Sequence, residues 1–308
     1  MLLAGGFDLP AWAIYGGAEA DADDIGAKAT VLLRVGDGVL CTGAIYGDSF
    51  ILTAAHCLTD DNGQPSVEAS RIRITYANRL DQAAASTRTA AQFIAHEGFV
   101  RQARATAASD DQPIDHDDIA VIRVAEGHPA GAVGVVLPEI DNDYVFRGYP
   151  RQRSIPKLWV DVYGYGAPSS GQLDTLHKVR VAGTTPDLVR PAWSLDVPNY
   201  FPQRVLISPN FEDFGKDRAW NRRGICEGDS GGPAFLVVAT GFSTARDGAI
   251  KLTGGSPVLV GLSSLGFQRD GDDALLGDAC VNTFSLVRTD YYRDWILSTI
   301  KRLQQVAP

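Results

Sequence analysis

The chain has 308 residues, of which 45% are hydrophobic and 21% are charged, which is ordinary for a globular protein. This length suffices for one large domain or for two barrels that share an interface. A formal net charge of −9 argues against a nucleic-acid partner, because neutralising phosphates requires clustered Lys and Arg. The longest apolar run, around 234–239, is only strand-sized, so we also expect no membrane partner.

The first thirteen residues differ from the rest of the chain. The tripeptide AWA at 11–13 has the pattern of a signal-peptidase site. However, no basic region precedes it, and Asp8 and Pro10 interrupt the apolar stretch. Three interpretations of residues 1–13 stay open: a signal-peptide remnant, a short pro-segment or an ordered N-terminal arm.

Short strand-like runs separated by polar, glycine-rich turns follow along the chain. Residues 29–51 alternate β-branched runs with turns, which is typical of a β-meander. Similar runs recur at 71–76, 91–95, 119–124, 158–163, 204–208, 234–238 and 258–262. With 32 Gly, 16 Pro and few helical periods, the pattern predicts an all-β chain.

The domain organisation is predicted from two changes in this pattern. A proline-rich segment with little periodicity, 136–156, is interpreted as a crossover between an N-terminal half at 14–135 and a C-terminal half at 157–308. The last stretch changes period and predicts a C-terminal amphipathic helix. Its apolar residues at helical spacing are Tyr292, Ile296, Ile300 and Leu303.

The chain contains four cysteines, Cys41, Cys57, Cys226 and Cys280. None has the spacing of a metal-binding motif, and the side chains of the adjacent pair His56-Cys57 would point to opposite faces of a strand. Disulfides are the better interpretation and imply an oxidising compartment. The residues alone leave three connectivities open.

The strongest chemical signal is the hexapeptide GDSGGP at 228–233. A serine flanked by glycines fits a tight turn whose N–H groups converge, which offers both a nucleophile and an oxyanion site. The pattern also satisfies the nucleophile elbow of α/β-hydrolases, which need a histidine after the serine. No histidine follows His177, so the general base must lie upstream.

Two upstream motifs supply a base and an acid. In TAAHC, His56 ends a strand-like run and precedes Cys57, so a disulfide could hold the imidazole within reach of a hydroxyl. In DIAVIRV, Asp118 heads a strand of buried type and could accept the other imidazole N–H. Asp115 and Asp117 are rivals in the same acidic run, but Asp118 directly adjoins the apolar strand.

TAAHC, DIAVIRV and GDSGGP, in that order, resemble the chymotrypsin- and trypsin-like serine peptidases. The resemblance implies two six-stranded antiparallel Greek-key barrels with the site between them and a C-terminal helix. It implies that Ser230 is the nucleophile, that His56 transfers its proton and that Asp118 orients His56. The N–H groups of Gly228 and Ser230 would form the oxyanion hole.

The resemblance also implies the surroundings of this chemistry. No cofactor and no metal is required; a calcium loop at 60–63 is the less favoured interpretation of a polar turn. The implied partners are polypeptide substrates and protein protease inhibitors, and the implied location is secreted or periplasmic. The implied disulfides are Cys41–Cys57 and Cys226–Cys280.

Ile14-Tyr15-Gly16-Gly17 resembles the mature N-terminus of this family. In the family, a freed α-amine at this place inserts into the protein and pairs with the aspartate before the nucleophile, here Asp229. The chain is therefore predicted to be a precursor that is activated by cleavage after Ala13.

The specificity pocket is carried over from the family at three positions, Gly224, Ser264 and Gly266. Gly224 at the pocket floor favours a small or apolar substrate side chain. An acidic loop within 267–279 leaves open a preference for basic side chains. Two other functions also stay open: a catalytically silent binding protein with a protease fold, and an esterase that uses the same triad.

Overall fold

The computed structural model of the chain describes residues 14–60, 63–80, 86–99, 117–138, 158–166, 175–183, 204–208, 223–236, 242–244, 250–252, 256–267, 280–281 and 283–305. The N-terminal segment 1–13 and most of the expected crossover at 136–156 lie outside these residues. The elements with described bounds are β1 (Ala18–Glu19), α1 (Ile25–Lys28), β2 (Thr30–Val35), β3 (Val39–Tyr46), β4 (Phe50–Thr53), β5 (Ile72–Tyr76), β6 (Ser86–Ala95), β7 (Ala120–Val124), β8 (Leu158–Gly164), β9 (His177–Gly183), β10 (Val205–Ser208), β11 (Ile225–Cys226), β12 (Pro233–Leu236), β13 (Phe242–Thr244), β14 (Ile250–Leu252), β15 (Leu259–Phe267), β16 (Cys280–Val281), β17 (Thr283–Arg288) and α2 (Arg293–Gln305).

The N-terminal half is a closed barrel of six antiparallel strands in the order β2-β3-β4-β7-β6-β5. Successive side chains of a strand point to opposite faces, so each strand of a barrel wall places some side chains inside the barrel and the others outside it. In β7, Ala120, Ile122 and Val124 pack in the barrel interior, whereas Val121 packs outward. Because both faces are covered, this strand is apolar at every position except Arg123 and does not alternate.

The outward-facing residues of the barrel belong to a second core that the two halves share. Leu32, Leu52 and Val121 contribute to it from the barrel. From the C-terminal half it contains Tyr163, Tyr165, Phe235, Leu259, Leu262 and Val287. This shared core brings the ends of strands from both halves together.

The C-terminal half is built on a seven-stranded sheet in the order β1-β9-β8-β12-β15-β17-β10, which forms a half-barrel. The short strand β1 reaches it from the N-terminal segment and pairs with β9 through Ala18↔Lys178 and Glu19↔His177. Two smaller pairs, β11–β16 and β13–β14, accompany the sheet. The expected fold class is confirmed; among the described strands, the first half is a closed barrel and the second half is this half-barrel sheet.

The predicted C-terminal helix is α2, and its apolar residues pack in the shared core as the spacing indicated. The helix is also tied to the N-terminal barrel by polar contacts. Arg123 Nη1 donates to the carbonyl of Leu303 at 2.6 Å, which satisfies one of the carbonyls that the helix end leaves unpaired. Trp295 Nε1 donates to Glu97 Oε2 at 3.0 Å. Where the chain is described, no helix has the length and apolarity of a membrane span.

Candidate active site

His56 lies on a single 3₁₀ turn, Ala55–Cys57, that follows β4 after one residue. The disulfide Cys41–Cys57 joins this turn to β3, so the imidazole is carried on backbone that is braced on both sides. The side chain of His56 is 32% exposed, which leaves part of the ring accessible from the surface. The disulfide itself confirms the predicted pairing of Cys41 with Cys57.

Asp118 directly precedes the buried start of the β7 region and is itself fully buried. Its Oδ1 accepts the backbone N–H of His56 at 2.9 Å, and its Oδ2 lies 2.7 Å from His56 Nδ1. Ser264 Oγ donates to the same Oδ2 at 2.5 Å. Burial by itself raises the pKa of Asp118, but the charge and hydrogen bonds of His56 and the bond from Ser264 lower it below its ordinary value.

Ser230 lies on a turn that is pressed against the segment leading to His56. Its carbonyl accepts the N–H of Thr42 at 2.8 Å. The next residue, Gly231, has a φ of +77°, and a Cβ there would collide with Thr53 Oγ1 and the carbonyl of Thr42. Only glycine allows this approach, which brings the serine turn of the C-terminal half to the end of β4 in the N-terminal half.

The residues before Ser230 form the tight turn that the sequence predicts. Gly228 has a φ of +98°, a conformation that residues with a side chain rarely adopt. Thr42 Oγ1 donates to its carbonyl at 2.8 Å and fixes the peptide orientation. Within the described part of the chain, neither the N–H of Gly228 nor that of Ser230 has a protein acceptor.

Asp229 points away from this turn into the interior and is fully buried. Its carboxylate accepts the N–H of Gly166 at 2.7 Å, that of Cys226 at 2.8 Å and the backbone N–H of Ile14. Burial raises the pKa of Asp229 to about 7, against the lowering effect of these three hydrogen bonds. The structure thus places the backbone N–H of Ile14 against the carboxylate of Asp229 in the uncleaved chain.

The family model for trypsin matches residues 14–272. The chain belongs to the trypsin family. The trypsin Blo t 3 of Blomia tropicalis is 29% identical over 195 residues, which cover 63% of this chain and 62% of that relative. The crystal structure of the scabies mite inactivated protease paralogue S-I1 is similar in fold, with a TM-score of 0.59 and 18% identity over 93% of this chain and 99% of that one.

Of the residues predicted to form the specificity pocket, Ser264 and Gly266 lie on β15 and Gly224 directly precedes β11. Gly224 is buried, and its N–H donates to the carbonyl of Tyr15 at 3.0 Å. Gly266 is exposed, and a Cβ there would collide with the side chain of Val281. Cys226 and Cys280 form the second predicted disulfide, between β11 and β16. The acidic residues at 268–279 lie outside the described residues.

Two residues of this trypsin-family chain make long-range contacts that the sequence did not predict. Ser264, expected in the wall of the pocket, donates its hydroxyl to Asp118. Asp117, a rival for the catalytic acid, is buried but pairs with Arg204 and Tyr292. No local signal identifies these three contacts, since the partners are 146, 87 and 175 residues apart.

One cluster of potential metal ligands adjoins the site. Atoms of Cys41, His56 and Cys57 lie within 4.8 Å of one another. Both cysteines are joined in a disulfide and offer no thiolate, so the donor set does not fit a zinc ion.

Proposed function

We propose that this trypsin-family chain is a secreted serine endopeptidase with His56, Asp118 and Ser230 as its catalytic triad. The observation that carries the proposal is the buried carboxylate of Asp118, which accepts both N–H groups of His56 beside the Ser230 turn. With Nδ1–H donated to Asp118, the neutral ring presents Nε2 as an acceptor. That is the tautomer that general-base catalysis requires.

The proposed reaction is acyl transfer to water in two stages. Ser230 Oγ attacks the peptide carbonyl while its proton passes to His56 Nε2, and the resulting imidazolium is stabilised by Asp118. The C–N bond then breaks, the amine leaves with that proton, and an acyl-enzyme remains on Ser230. Water attacks the ester with His56 again as the base, which releases the acid and restores the hydroxyl of Ser230.

The oxyanion of each tetrahedral intermediate would bind the N–H groups of Gly228 and Ser230. Preorganised donors of this kind stabilise developing charge at little reorganisation cost. Two N–H groups without a protein acceptor among the described residues, on a turn fixed by Thr42, support this role.

We also propose that the chain is a precursor, activated by cleavage before Ile14. In the uncleaved chain, Asp229 has only neutral amide partners among the described residues, and its ionised form is therefore poorly compensated. A new α-ammonium at Ile14 would supply the missing charge at the place where the Ile14 N–H already lies. Two disulfides support secretion, because they persist in oxidising compartments.

The proposed substrates are polypeptides with a small or apolar side chain on the acyl side of the cut. Gly224 contributes no charge to the pocket, and Gly266 lies against the aliphatic Val281. An acidic residue at 270–278 reaching the pocket is the alternative and would produce a preference for Lys or Arg.

The test uses protein that begins at Ile14, with the Ser230→Ala variant as its control. A fluorophosphonate probe should label the wild type and not the variant, and the wild type should cleave members of a peptide library. Comparing kcat/KM for peptide amides and matched esters separates a peptidase from an esterase. Folded wild-type protein that is neither labelled nor active would overturn the proposal.

A catalytically silent binding protein is the second candidate. The similar fold of the scabies mite inactivated protease paralogue favours it, because this fold is also used by a protein named as inactive. Against it stands the presence of all three triad residue types at the expected places in this chain. Failure of the labelling experiment on folded protein would favour this candidate.

A further inference from the structure

The geometry points to Asp117 as a positioning residue for the carboxylate of Asp118, held in place by Arg204 and Tyr292 from the C-terminal half. This inference rests on the proposed function, in which Asp118 orients His56. It assigns a role to a buried carboxylate that the triad chemistry does not use.

The backbone around Asp118 forms a closed three-residue turn. The N–H of Ile119 donates to the carbonyl of Asp117 at 2.8 Å, so Asp118 is the central residue of an i→i+2 hydrogen bond. The N–H of His96 donates to the carbonyl of Ile119 at 2.9 Å and fixes the far side of the turn. The direction of the Asp118 side chain therefore depends on how Asp117 is held.

Asp117 has an unfavourable backbone conformation that other contacts must stabilise. Its φ is +62°, in the left-handed region that aspartate tolerates better than most residues but that still costs free energy. Such a conformation persists where the surrounding contacts over-determine it, and it is enriched at functional sites. The contacts of the Asp117 side chain are of this kind.

Two side chains from the C-terminal half reach Asp117, those of Arg204 and Tyr292. Arg204 Nη1 donates to Oδ1 at 2.9 Å and to Oδ2 at 3.0 Å. The hydroxyl of Tyr292 donates to Oδ1 at 2.5 Å and accepts the backbone N–H of Asp117 at 3.1 Å. The Asp117 side chain is 9% exposed, so these partners bind a carboxylate that water reaches poorly.

Neighbouring residues close the remaining space around this carboxylate. A Cβ on Gly98 would collide with Asp117 Oδ2, so only glycine leaves room for it. The His96 ring accepts the N–H of Gly98 at 2.9 Å and packs edge-on against the Tyr292 ring at a centroid distance of 5.3 Å. Asp117 therefore has little freedom to move while Tyr292 stays in place.

These hydrogen bonds attach the segment that carries Asp118, in the N-terminal half, to two residues of the C-terminal half. Arg204 directly precedes β10, and Tyr292 directly precedes α2, whereas Asp117 lies at the start of the β7 segment. When Arg204 and Tyr292 hold Asp117, the turn presents Asp118 to His56 at hydrogen-bond distance. Since a displacement of about 1 Å near reacting groups can cost on the order of 100-fold in rate, loosening this contact should lower turnover.

The experiment compares Asp117→Ala, Tyr292→Phe and Arg204→Gln in active protein that begins at Ile14. We expect kcat to fall by about 10- to 100-fold while KM changes by less than about threefold, because substrate contacts are untouched. Asp117→Asn keeps an oxygen acceptor and tolerates a left-handed φ, so it should restore much of the lost kcat.

The matched control is Arg180→Gln. Arg180 pairs with Asp161 through two hydrogen bonds of 2.7 and 2.8 Å, and its side chain is 26% exposed, as is that of Arg204. It contacts no triad residue among its described partners. This variant should lower the melting temperature and leave kcat within about twofold of the wild type.

A second readout does not require catalysis. In the inactive Ser230→Ala background, the NMR signal of the His56 Nδ1 proton reports its hydrogen bond to Asp118. We expect Asp117→Ala and Tyr292→Phe to shift this signal upfield or broaden it, and Arg180→Gln to leave it unchanged. If one variant fails to fold, as judged by circular dichroism, the other carries the test.

The outcomes separate the two proposals. An active wild type whose Asp117 and Tyr292 variants keep both kcat and the His56 signal would overturn the positioning role and leave the peptidase intact. An inactive, unlabelled wild type would overturn the peptidase, and the His56 signal would still decide whether Asp117 orients Asp118.

Discussion

The carboxylate of Asp118 accepts two N–H groups of the same residue, the backbone N–H and Nδ1–H of His56, at 2.9 and 2.7 Å. A two-point contact fixes both the position of the residue and the rotation of its ring. The opposite edge of the ring then faces away from Asp118, and Nε2 is left as an acceptor. The hydrogen bond from His56 Nδ1 to Asp118 thus determines that Nε2, which Asp118 does not contact, is the basic atom of the ring.

Substitutions in the triad should lower kcat by amounts that differ with the residue. We expect Ser230→Ala or His56→Ala to lower kcat by about 10⁶-fold. Asp118→Asn should lower it by about 10⁴-fold, because an amide can donate to Nδ1 and favour the wrong tautomer. The measurement is steady-state cleavage of a peptide substrate by protein that begins at Ile14. A loss of less than about tenfold in Asp118→Asn would contradict the assigned role.

Ser264 should contribute to turnover through Asp118. Its hydroxyl donates to Asp118 Oδ2 at 2.5 Å, and hydrogen bonds to charged groups are worth about 1.5–3 kcal/mol. Ser264→Ala should therefore lower kcat by about 10- to 100-fold. Thr289→Val is the control, since it removes a buried hydroxyl whose described partner is a backbone carbonyl, that of Leu259. It should reduce the free energy of unfolding and leave kcat unchanged.

The sequence predicted those parts of the fold that depend on local sequence patterns. Periodicity identified the strand runs and α2, and the GDSGGP motif identified a turn at which Gly228 and Gly231 do adopt positive φ values. The sequence could not predict which buried polar groups meet across the two halves. The sequence suggested Ser264 only as a pocket residue, and its hydrogen bond to Asp118 arises from folding. The pairing of Asp117 with Tyr292 depends on how α2 docks.

Gly231 should tolerate replacement far less well than a glycine on an open turn. Its Cβ would meet Thr53 Oγ1, the carbonyl of Thr42 and the N–H of Ala54, in addition to the unfavourable φ of +77°. Gly47→Ala is the matched control, because Gly47 has a φ of +57° and a Cβ added there would meet nothing within 4 Å. Gly47→Ala should therefore cost only about 1 kcal/mol of backbone strain.

The two glycine variants are compared by urea unfolding and by fluorophosphonate labelling. Gly231→Ala should reduce stability by several times the loss in Gly47→Ala and should abolish labelling, because the serine turn must withdraw from β4. Labelling at the wild-type rate in Gly231→Ala would show that the close approach is not needed to place Ser230.

Asp229 should make the stability of the uncleaved chain depend on pH. Burial raises its pKa from 3.8 to about 7, so the folded protein keeps a proton that the unfolded chain has already lost. The stabilisation from this proton is complete below about pH 4 and is lost as the pH rises to about 7. Over these roughly three pH units, the loss is on the order of 4 kcal/mol.

The corresponding measurement is urea unfolding between about pH 4 and pH 8, in a Ser230→Ala background that prevents self-cleavage. The full chain should lose stability across this range, and Asp229→Asn should remove most of the loss because an amide does not titrate. Protein that begins at Ile14 should also lose less, since an α-ammonium with an ordinary pKa of about 8 can pair with the ionised carboxylate. If the full chain and the shortened chain show parallel pH dependence, Ile14 does not supply a counter-charge to Asp229, and the proposed activation by cleavage fails.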